Sequence, residues 1–400
     1  MNISNDPLYM LFLKSRNLKA SSIQRYKVYL TLYSEFIDKK PKQWIEEAEY
    51  EEDHSIRKRQ RKIKKHLIDY NEFLESKGYS PRTIAAALTI TRTFYKEFDI
   101  QLPIQKVNRK YRPETIDDIP NMDEIRKALN HANIKYKAII LLMLSSGMRS
   151  SDIRNLKYHD FLISLKDFIK IPKEGYVQVD EVVELVEKSK KEIVPTWKIT
   201  AEKNNIAFIT FSTPESLEAI LDYLKLKPPR DLKCPLFRSN RFPDQGISKP
   251  AFMKYFKDLN DLCGFGKIDK QIKFRSHSLR KFFTTTLYHK QLNKLTIDWL
   301  LAHKIDSVTD SYFKSDIKSL RNEYIKCLPD LSIEKTEARI VESDEYKKLT
   351  EQYENDSKAK EEEIKKLKAE KDEEMANIKK KMELMDKMMK DLMTKQLKNE

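Results

Sequence analysis

Glycine and cysteine are scarce in this chain, and each scarcity excludes a class of site. The 400 residues include only six glycines, and none stands in a GxGxxG or GxxxxGK[ST] sequence, the glycine-rich loops that hold nucleotide phosphates. The three cysteines, Cys234, Cys263 and Cys327, show neither paired spacing nor a CxxC motif. We therefore expect no nucleotide-driven chemistry, no disulfide framework and no metal or other cofactor, and unpaired cysteines fit a reducing cytosol.

Long apolar runs are also missing. The longest uncharged stretch, residues 138–148, is shorter than the roughly 20 apolar residues that a membrane-spanning helix needs. The N-terminal residues show no basic segment followed by an apolar core and a cleavage site, the pattern of a secretory signal. The sequence predicts a cytoplasmic protein without a membrane partner.

Positive charge is abundant instead. Lysine and arginine number 77 against 62 aspartates and glutamates, which gives a net charge of +15. The last 70 residues contain 17 basic and 19 acidic residues, so the excess lies in the part before residue 331. A basic globular region favours polyanionic partners, with nucleic acid first, although a lysine-rich proteome would produce the same composition.

Residues 1–100 have apolar side chains at helical spacing and no alternating strand pattern. Ser80 followed by Pro81 is typical of a helix start, and apolar residues from Ile56 to Leu74 predict another helix. The first half of that helix is strongly basic. It would lie along a DNA backbone, unless it is an ordinary solvated face. The predicted DNA-binding residues are Arg57, Lys58, Arg59, Arg61, Lys62, Lys64 and Lys65.

Prolines between residues 101 and 120 predict a linker to a second domain at residues 121–330. Helices are expected at 122–131 and 134–145, the second nearly all apolar and therefore buried. After a bend at Gly147, a third helix is expected to start with a serine cap at Ser150 or Ser151.

A small antiparallel sheet is expected in the same domain. Runs of β-branched and aromatic residues occur at 167–171, 194–200 and 206–212. The last two are separated by a short turn that contains Lys203 and asparagines, which tolerate positive φ. With an inserted helix at 179–192 and helices toward the C-terminal end, the fold class is mainly α with a small β-sheet, an α+β domain.

Residues 335–400 differ from the rest of the chain. Apolar residues recur three and four positions apart from Met375 to Leu392, which is a heptad seam. Upstream, Lys360 and Lys371 fall on or near core positions. This pattern predicts a charged long helix or a marginal coiled coil for self-association.

Two arginines, two histidines and one tyrosine are the side chains that phosphoryl transfer needs when no metal takes part. They are Arg149, His277, Arg280, His303 and Tyr312. Guanidinium forks stabilise charge on phosphate oxygens, and imidazoles exchange protons near neutral pH. A phenol, with an ordinary pKa near 10, attacks phosphate poorly without such help. Each residue alone has an ordinary structural explanation, so the hypothesis depends on their convergence.

The order of these residues is more informative than their types. The strings SSGMRSSDI, HSLRK and LLAHKIDSVTDSYF, with a hairpin lysine between the first two, resemble the catalytic domain of tyrosine recombinases, the phage-integrase family. Asp152 falls where the family usually has an acidic residue. Ala302 departs from the family, which usually has glycine there. Lys198 is the alternative to Lys203, because the stretch before the hairpin is longer than in compact bacterial members. The hairpin region looks more like archaeal integrases.

The resemblance covers about residues 7–325 and implies a helical N-terminal core-binding domain and a reaction. Tyr312 would attack a DNA phosphodiester and form a 3′-phosphotyrosyl bond, with Arg149 and Arg280 on the non-bridging oxygens. His277 would accept the phenol proton, His303 would donate a hydrogen bond to the phosphate, and the hairpin lysine would protonate the departing 5′ oxygen.

The resemblance also implies partners. Members of the family act as homotetramers on two double-stranded DNA recombination sites, without ATP or metal. The integrase of a mobile element is the first hypothesis, with chromosome-dimer resolution as a variant. A type IB topoisomerase-like relaxase has the same residue types, and a catalytically silent DNA-binding protein would retain the fold. The HxxR sequence and the helical N-terminal domain favour recombination.

Overall fold

The computed structural model describes most of the chain up to residue 333. The described residues are 2–102, 115–170, 176–189, 192–203, 205–268, 271–305 and 316–333. Two compact units form, Met1–Glu114 and Thr115–Glu400, each with its own hydrophobic core. Tyr312 and the predicted coiled coil at 335–400 lie outside the described residues. Within the described ranges, no helix combines the length and apolarity needed to cross a lipid bilayer.

The described residues of the first unit form helices joined by short turns. The helices are α1 (Pro7–Ser15), α2 (Ala20–Ile37), α3 (Pro41–Asp53), α4 (Lys62–Ser76) and α5 (Pro81–Glu97). Tyr33 stands at the centre of an aromatic core, with its ring edge-on to Trp44 and Tyr70 at centroid distances of 5.0 Å. Ser80 caps α5 by accepting a hydrogen bond from the Thr83 amide, as predicted.

Helix α4 begins later than its apolar spacing predicts. Residues 58–60 lie in a turn, and the helix starts at Lys62. The buried Glu51 carboxylate accepts the Lys62 amide at 3.0 and 3.1 Å and so caps the helix from outside. Consecutive cations repel one another and are disfavoured at a helix N-terminus, which carries partial positive charge. The basic run is therefore mostly a loop.

The second unit begins with helices and a β-hairpin. A 3₁₀ turn (Ile116–Asp118) leads to α6 (Met122–His131), α7 (Ile134–Ser146), α8 (Ser150–Asn155), α9 (Tyr158–Leu165) and α10 (Val179–Lys188). Strands β1 (Thr196–Thr200) and β2 (Ala207–Phe211) pair antiparallel, with Thr196 opposite Phe211. Helix α7 is buried on every side and packs against later helices of the unit, as its unbroken apolar sequence predicts.

The rest of the unit surrounds α7. It consists of α11 (Pro214–Leu226), α12 (Lys249–Leu262), the short strands β3 (Lys267–Ile268) and β4 (Gln271–Ile272), α13 (Ser276–His289), α14 (Lys294–Leu300), α15 (Ile317–Ile325) and α16 (Leu328–Leu331). Helix α15 is anchored by Tyr324, which is buried and donates a hydrogen bond to the Ser145 carbonyl oxygen at 2.8 Å.

The predicted class, mainly helical with a small antiparallel sheet, is confirmed, whereas a strand and a helix cap were predicted wrongly and one pair of strands was missed. Residues 167–170 form turns rather than a strand, because the amides of Phe168 and Ile169 continue the end of α9 by bonding the Leu165 carbonyl oxygen. Arg149, not a serine, occupies the N-cap of α8. The pair β3–β4 was not predicted, since two-residue strands leave no periodicity to detect.

Candidate active site

The turn after α7 places the first arginine. Gly147 ends the helix with a φ of +63°, and a Cβ atom there would lie 2.4 Å from the Phe283 ring and 2.9 Å from Leu301. Only glycine fits this backbone and this space. Two residues later Arg149 begins α8, where its amide donates to the Asp152 carboxylate at 3.3 Å.

Arg280 ties together three segments of the second unit. Its guanidinium donates to the carbonyl oxygens of Gly147 at 2.5 Å and Leu301 at 2.6 Å, and it lies 3.3 Å from Nε2 of His303. The side chain is only 7% exposed. The pKa of Arg280 is lowered to about 10, because burial and the nearby charge of Arg149 lower it by more than Asp152 raises it. The group is still cationic at neutral pH.

Arg149 approaches the same place from α8. Its Nη2 atom donates to the Ala302 carbonyl oxygen at 3.3 Å, while its buried Nη1 atom has no hydrogen-bond partner among the described residues. Two guanidinium groups thus meet at the turn formed by Leu301 and Ala302. Carbonyl dipoles compensate these two cations only partly, and an unpaired buried N–H is costly. An anion with several oxygens would balance the two positive charges and accept a hydrogen bond from the unpaired N–H.

His303 completes this cluster at the end of the same turn. Its Nδ1 atom lies 2.8 Å from the Asp298 carboxylate, and the ring is 45% exposed with Nε2 beside Arg280. A carboxylate at Nδ1 favours the tautomer with the proton on that nitrogen and fixes the direction of the ring. Asp298 was not predicted, because a carboxylate five residues before a histidine has no distinctive spacing.

The hairpin brings the two lysine candidates to different places. Lys203 is exposed in the turn between β1 and β2, and the adjoining Glu202 amide donates to the Asp152 carboxylate at 3.2 Å. Lys198 is exposed on β1 and lines a cleft with Asp152, Asp160 and Glu202. Asp152 and Glu202 lie near both lysines, so both stay candidates for the proton donor, as predicted from the sequence.

His277 and Tyr312 complete the predicted set. His277 is exposed in the first turn of α13, three residues before Arg280 and therefore on the same side of the helix. Tyr312 lies outside the described residues. Among other tyrosines, Tyr324 is buried and hydrogen-bonded, and burial raises its pKa well above the usual value, so it is not available as a nucleophile.

The basic segment of the first unit has members of two kinds. Arg61 is buried, where it pairs with Glu52 and donates to the Ile56 carbonyl oxygen at 3.0 Å. Its role in this structure is internal. The remaining predicted residues are exposed or half-buried on the same segment. They are Arg57, Lys58, Arg59, Lys62, Lys64 and Lys65.

No group of three or more histidine, cysteine or carboxylate side chains within the described ranges is arranged to hold a metal ion. The groups that meet at the turn of residues 301–303 are instead two guanidinium groups and an imidazole. Their arrangement fits the charge stabilisation of a phosphoryl group by hydrogen-bond donors.

Comparison with known proteins gives consistent results. The model of the phage integrase family matches residues 117–318. Tyrosine recombinase XerA of Saccharolobus solfataricus is 25% identical over 331 residues, which cover 81% of this chain and 94% of that protein. Tyrosine recombinase XerC of Rickettsia bellii is 25% identical over 271 residues, which cover 62% of this chain and 73% of that protein.

A solved structure with a similar fold is the Tn1549 transposon integrase in complex with transposon right end DNA. It covers 80% of this chain and 98% of its own, with 12% identity and a TM-score of 0.50. At this identity the likeness concerns the fold.

Proposed function

The chain belongs to the phage integrase family, and we propose that it is a site-specific tyrosine recombinase that cleaves and rejoins DNA strands. The matches to two tyrosine recombinases span 94% and 73% of the length of those proteins. The observation that carries the proposal is the meeting of Arg149, Arg280 and His303 around one turn, where the Arg149 Nη1 atom has no hydrogen-bond partner among the described residues.

The reaction exchanges one phosphate ester for another. The Tyr312 oxygen attacks phosphorus as its proton passes to His277, while the two guanidinium groups stabilise charge on the non-bridging oxygens. The bond to the 5′ oxygen breaks, and Lys203 supplies the proton that this oxygen takes up. The 3′-phosphotyrosyl bond keeps the energy of the broken linkage. A 5′-hydroxyl of another strand then reverses the steps, so no external energy source is required.

The test is to trap the covalent intermediate. A duplex nicked near a site that the protein selects from a random-sequence DNA pool loses the short 5′ fragment after cleavage, which prevents religation. We expect a covalent complex, with mass spectrometry locating the nucleotide on the peptide that contains Tyr312. An adduct on Tyr288 contradicts the nucleophile assignment, and no adduct on a bound site favours a silent DNA-binding protein. Plasmid relaxation by the monomer without paired sites favours the topoisomerase-like alternative.

We also propose that the exposed part of the basic segment contacts the DNA backbone. Replacement of Arg57, Lys58 and Arg59 by glutamine removes three exposed charges. Each phosphate contact contributes about 0.9 to the slope of log K, the DNA-binding constant, against log salt concentration. The magnitude of this slope should therefore fall by about 2–3. Binding titrations between 50 and 200 mM salt measure it.

Arg61 is the matched control on the same segment. Because its guanidinium is buried against the partly exposed Glu52, Arg61→Gln should lower the free energy of unfolding by about 3 kcal/mol and change the slope by less than one. A triple variant with the wild-type slope would show that this segment does not touch DNA.

The biological setting follows as a proposal from the same family membership. We propose a homotetramer acting on two DNA sites for a mobile element, with residues 335–400 contributing self-association. Sedimentation of the DNA complex with the full chain, and with a chain that ends at Ile333, measures the stoichiometry and the contribution of the tail.

A further inference from the structure

Ala302 adopts a backbone conformation that alanine disfavours. Its φ is +50°, in the left-handed region where a Cβ atom crowds the following carbonyl oxygen and where glycine is unstrained. Such strain persists only where the surroundings determine it, and it concentrates at functional sites. The compensation should therefore be visible in what the methyl group touches.

The methyl group of Ala302 belongs to a small apolar cluster of its own. The cluster consists of Ala302, Ala201 and Phe208, each at most 3% exposed, with Ile199 packed against it. Ala201 and Phe208 flank the turn that carries Lys203, and α14 packs on β2 at this place. The cluster is separate from the main core of the unit. Its position is between the hairpin and the turn of residues 301–303.

A second, polar contact holds the same end of the hairpin. The Asp152 carboxylate accepts the Glu202 amide at 3.2 Å and also the Arg149 amide at 3.3 Å. The Ala302 carbonyl oxygen accepts from Arg149 at 3.3 Å. Two contacts at this end of the hairpin thus involve groups that bind Arg149. The Glu202 amide contacts the Asp152 carboxylate, and the apolar cluster includes Ala302, whose carbonyl oxygen accepts from Arg149.

We propose that Ala302 is a positioning residue, whose methyl group holds the hairpin so that Lys203 reaches the leaving 5′ oxygen. The inference rests on the proposed role of Lys203. A glycine at this position relieves the backbone and removes the methyl contact. The turn end of the hairpin then keeps the contact of the Glu202 amide with Asp152 but loses the methyl contact with Ala201 and Phe208.

The test compares Ala302→Gly with the wild-type chain on two nicked duplexes. One has the ordinary 5′ oxygen at the scissile bond, and the other has sulfur in its place. A thiolate leaves without protonation because its pKa is far below that of an alcohol. We expect cleavage of the oxygen substrate to fall about tenfold, and cleavage of the sulfur substrate to change less than about twofold. Relief of strain and loss of one buried methyl are similar in size, so Tm should stay within about 3 °C.

Phe208→Leu is the second variant, because it weakens the same cluster without altering residue 302 or its carbonyl oxygen. It should show the same substrate-dependent defect. Hydrogen exchange gives an independent readout of the hairpin. The amides of Ala201 and Asn205, which bond Ile206 and Ala201 carbonyl oxygens at 2.8 Å, should exchange faster in both variants.

Equal slowing of both substrates by Ala302→Gly, or unchanged exchange of the hairpin amides, would overturn the proposal. The Lys203→Ala variant tests the proposed role of Lys203 separately from the positioning role of Ala302. If sulfur restores cleavage to Lys203→Ala, the lysine is the proton donor. If it does not, that assignment is wrong, and faster exchange in the Ala302→Gly and Phe208→Leu variants still establishes that the methyl group holds the hairpin.

Discussion

Replacing Arg280 by lysine should reduce DNA cleavage about 10³-fold, because its guanidinium connects three segments of the described part of the site. Its guanidinium bridges the carbonyl oxygens of Gly147 and Leu301 and stands 3.3 Å from His303. An ammonium group has no planar fork and cannot span these positions while it faces a phosphate. Removal of one well-placed donor to a developing anion costs about 10²–10³ in rate, and displacement of His303 adds to it.

The measurement is the single-turnover rate of adduct formation at saturating DNA, below the unfolding temperature of the variant. DNA binding should change by less than about threefold, since Arg280 is buried and surface charges dominate affinity. Arg238→Lys is the matched control. Its guanidinium also donates to backbone carbonyl oxygens, those of Lys227 and Pro228, but none of its described contacts involves the site. A cleavage rate near that of wild type in folded Arg280→Lys would refute the phosphate role.

Replacing Gly147 by alanine should have the largest effect on stability. The added Cβ would lie 2.4 Å from the Phe283 ring and 2.9 Å from Leu301, at a φ of +63°. The left-handed backbone costs about 1 kcal/mol, and forced repacking of a filled core costs about 1–3 kcal/mol more. The unfolding temperature of the second unit should fall by about 10 °C. Cleavage should also fall, because the Gly147 carbonyl oxygen positions Arg280.

Gly264→Ala separates the cost of the left-handed backbone from the cost of the steric clash. Gly264 has a similar φ of +69°, and nothing lies within 4 Å of the position that its Cβ would occupy. This variant carries the backbone cost without the clash, so it should lose about 1 kcal/mol and retain full cleavage. Thermal unfolding followed by circular dichroism compares them. If both variants lose equal stability, the contact of Gly147 with Phe283 and Leu301 has no energetic importance.

Much of the secondary structure was predictable because it depends on local patterns. The bounds of α6 and the buried character of α7 follow from apolar spacing and capping residues. The hairpin follows from two β-rich runs around a turn. Predictions failed where a distant group decided the outcome. The start of α4 is set by Glu51, 11 residues earlier in the chain, and no local pattern reveals that carboxylate.

The types and order of the site residues were also readable from the sequence, since chemistry restricts which side chains stabilise a phosphoryl group. Their surroundings were not. Asp298 and the cluster around Ala302 act through contacts whose spacing along the chain has no rule. For Ala302, the sequence shows a departure from the usual glycine, and only the φ value shows that the alanine is strained.

By itself, the sequence determined the composition of this protein and the order of its predicted site residues. The chain is basic and poor in glycine, and its two site arginines, two site histidines and one site tyrosine follow each other as in the phage-integrase family. Tertiary structure decided which of them meet. Arg280 reaches a carbonyl oxygen 133 residues away, and Arg149 reaches one 153 residues away. Contacts across such separations form only when the whole core packs, because local preferences act over a few residues and burial acts over the entire unit. That packing brings the two cations together around one turn, and this arrangement makes the site one for an anion.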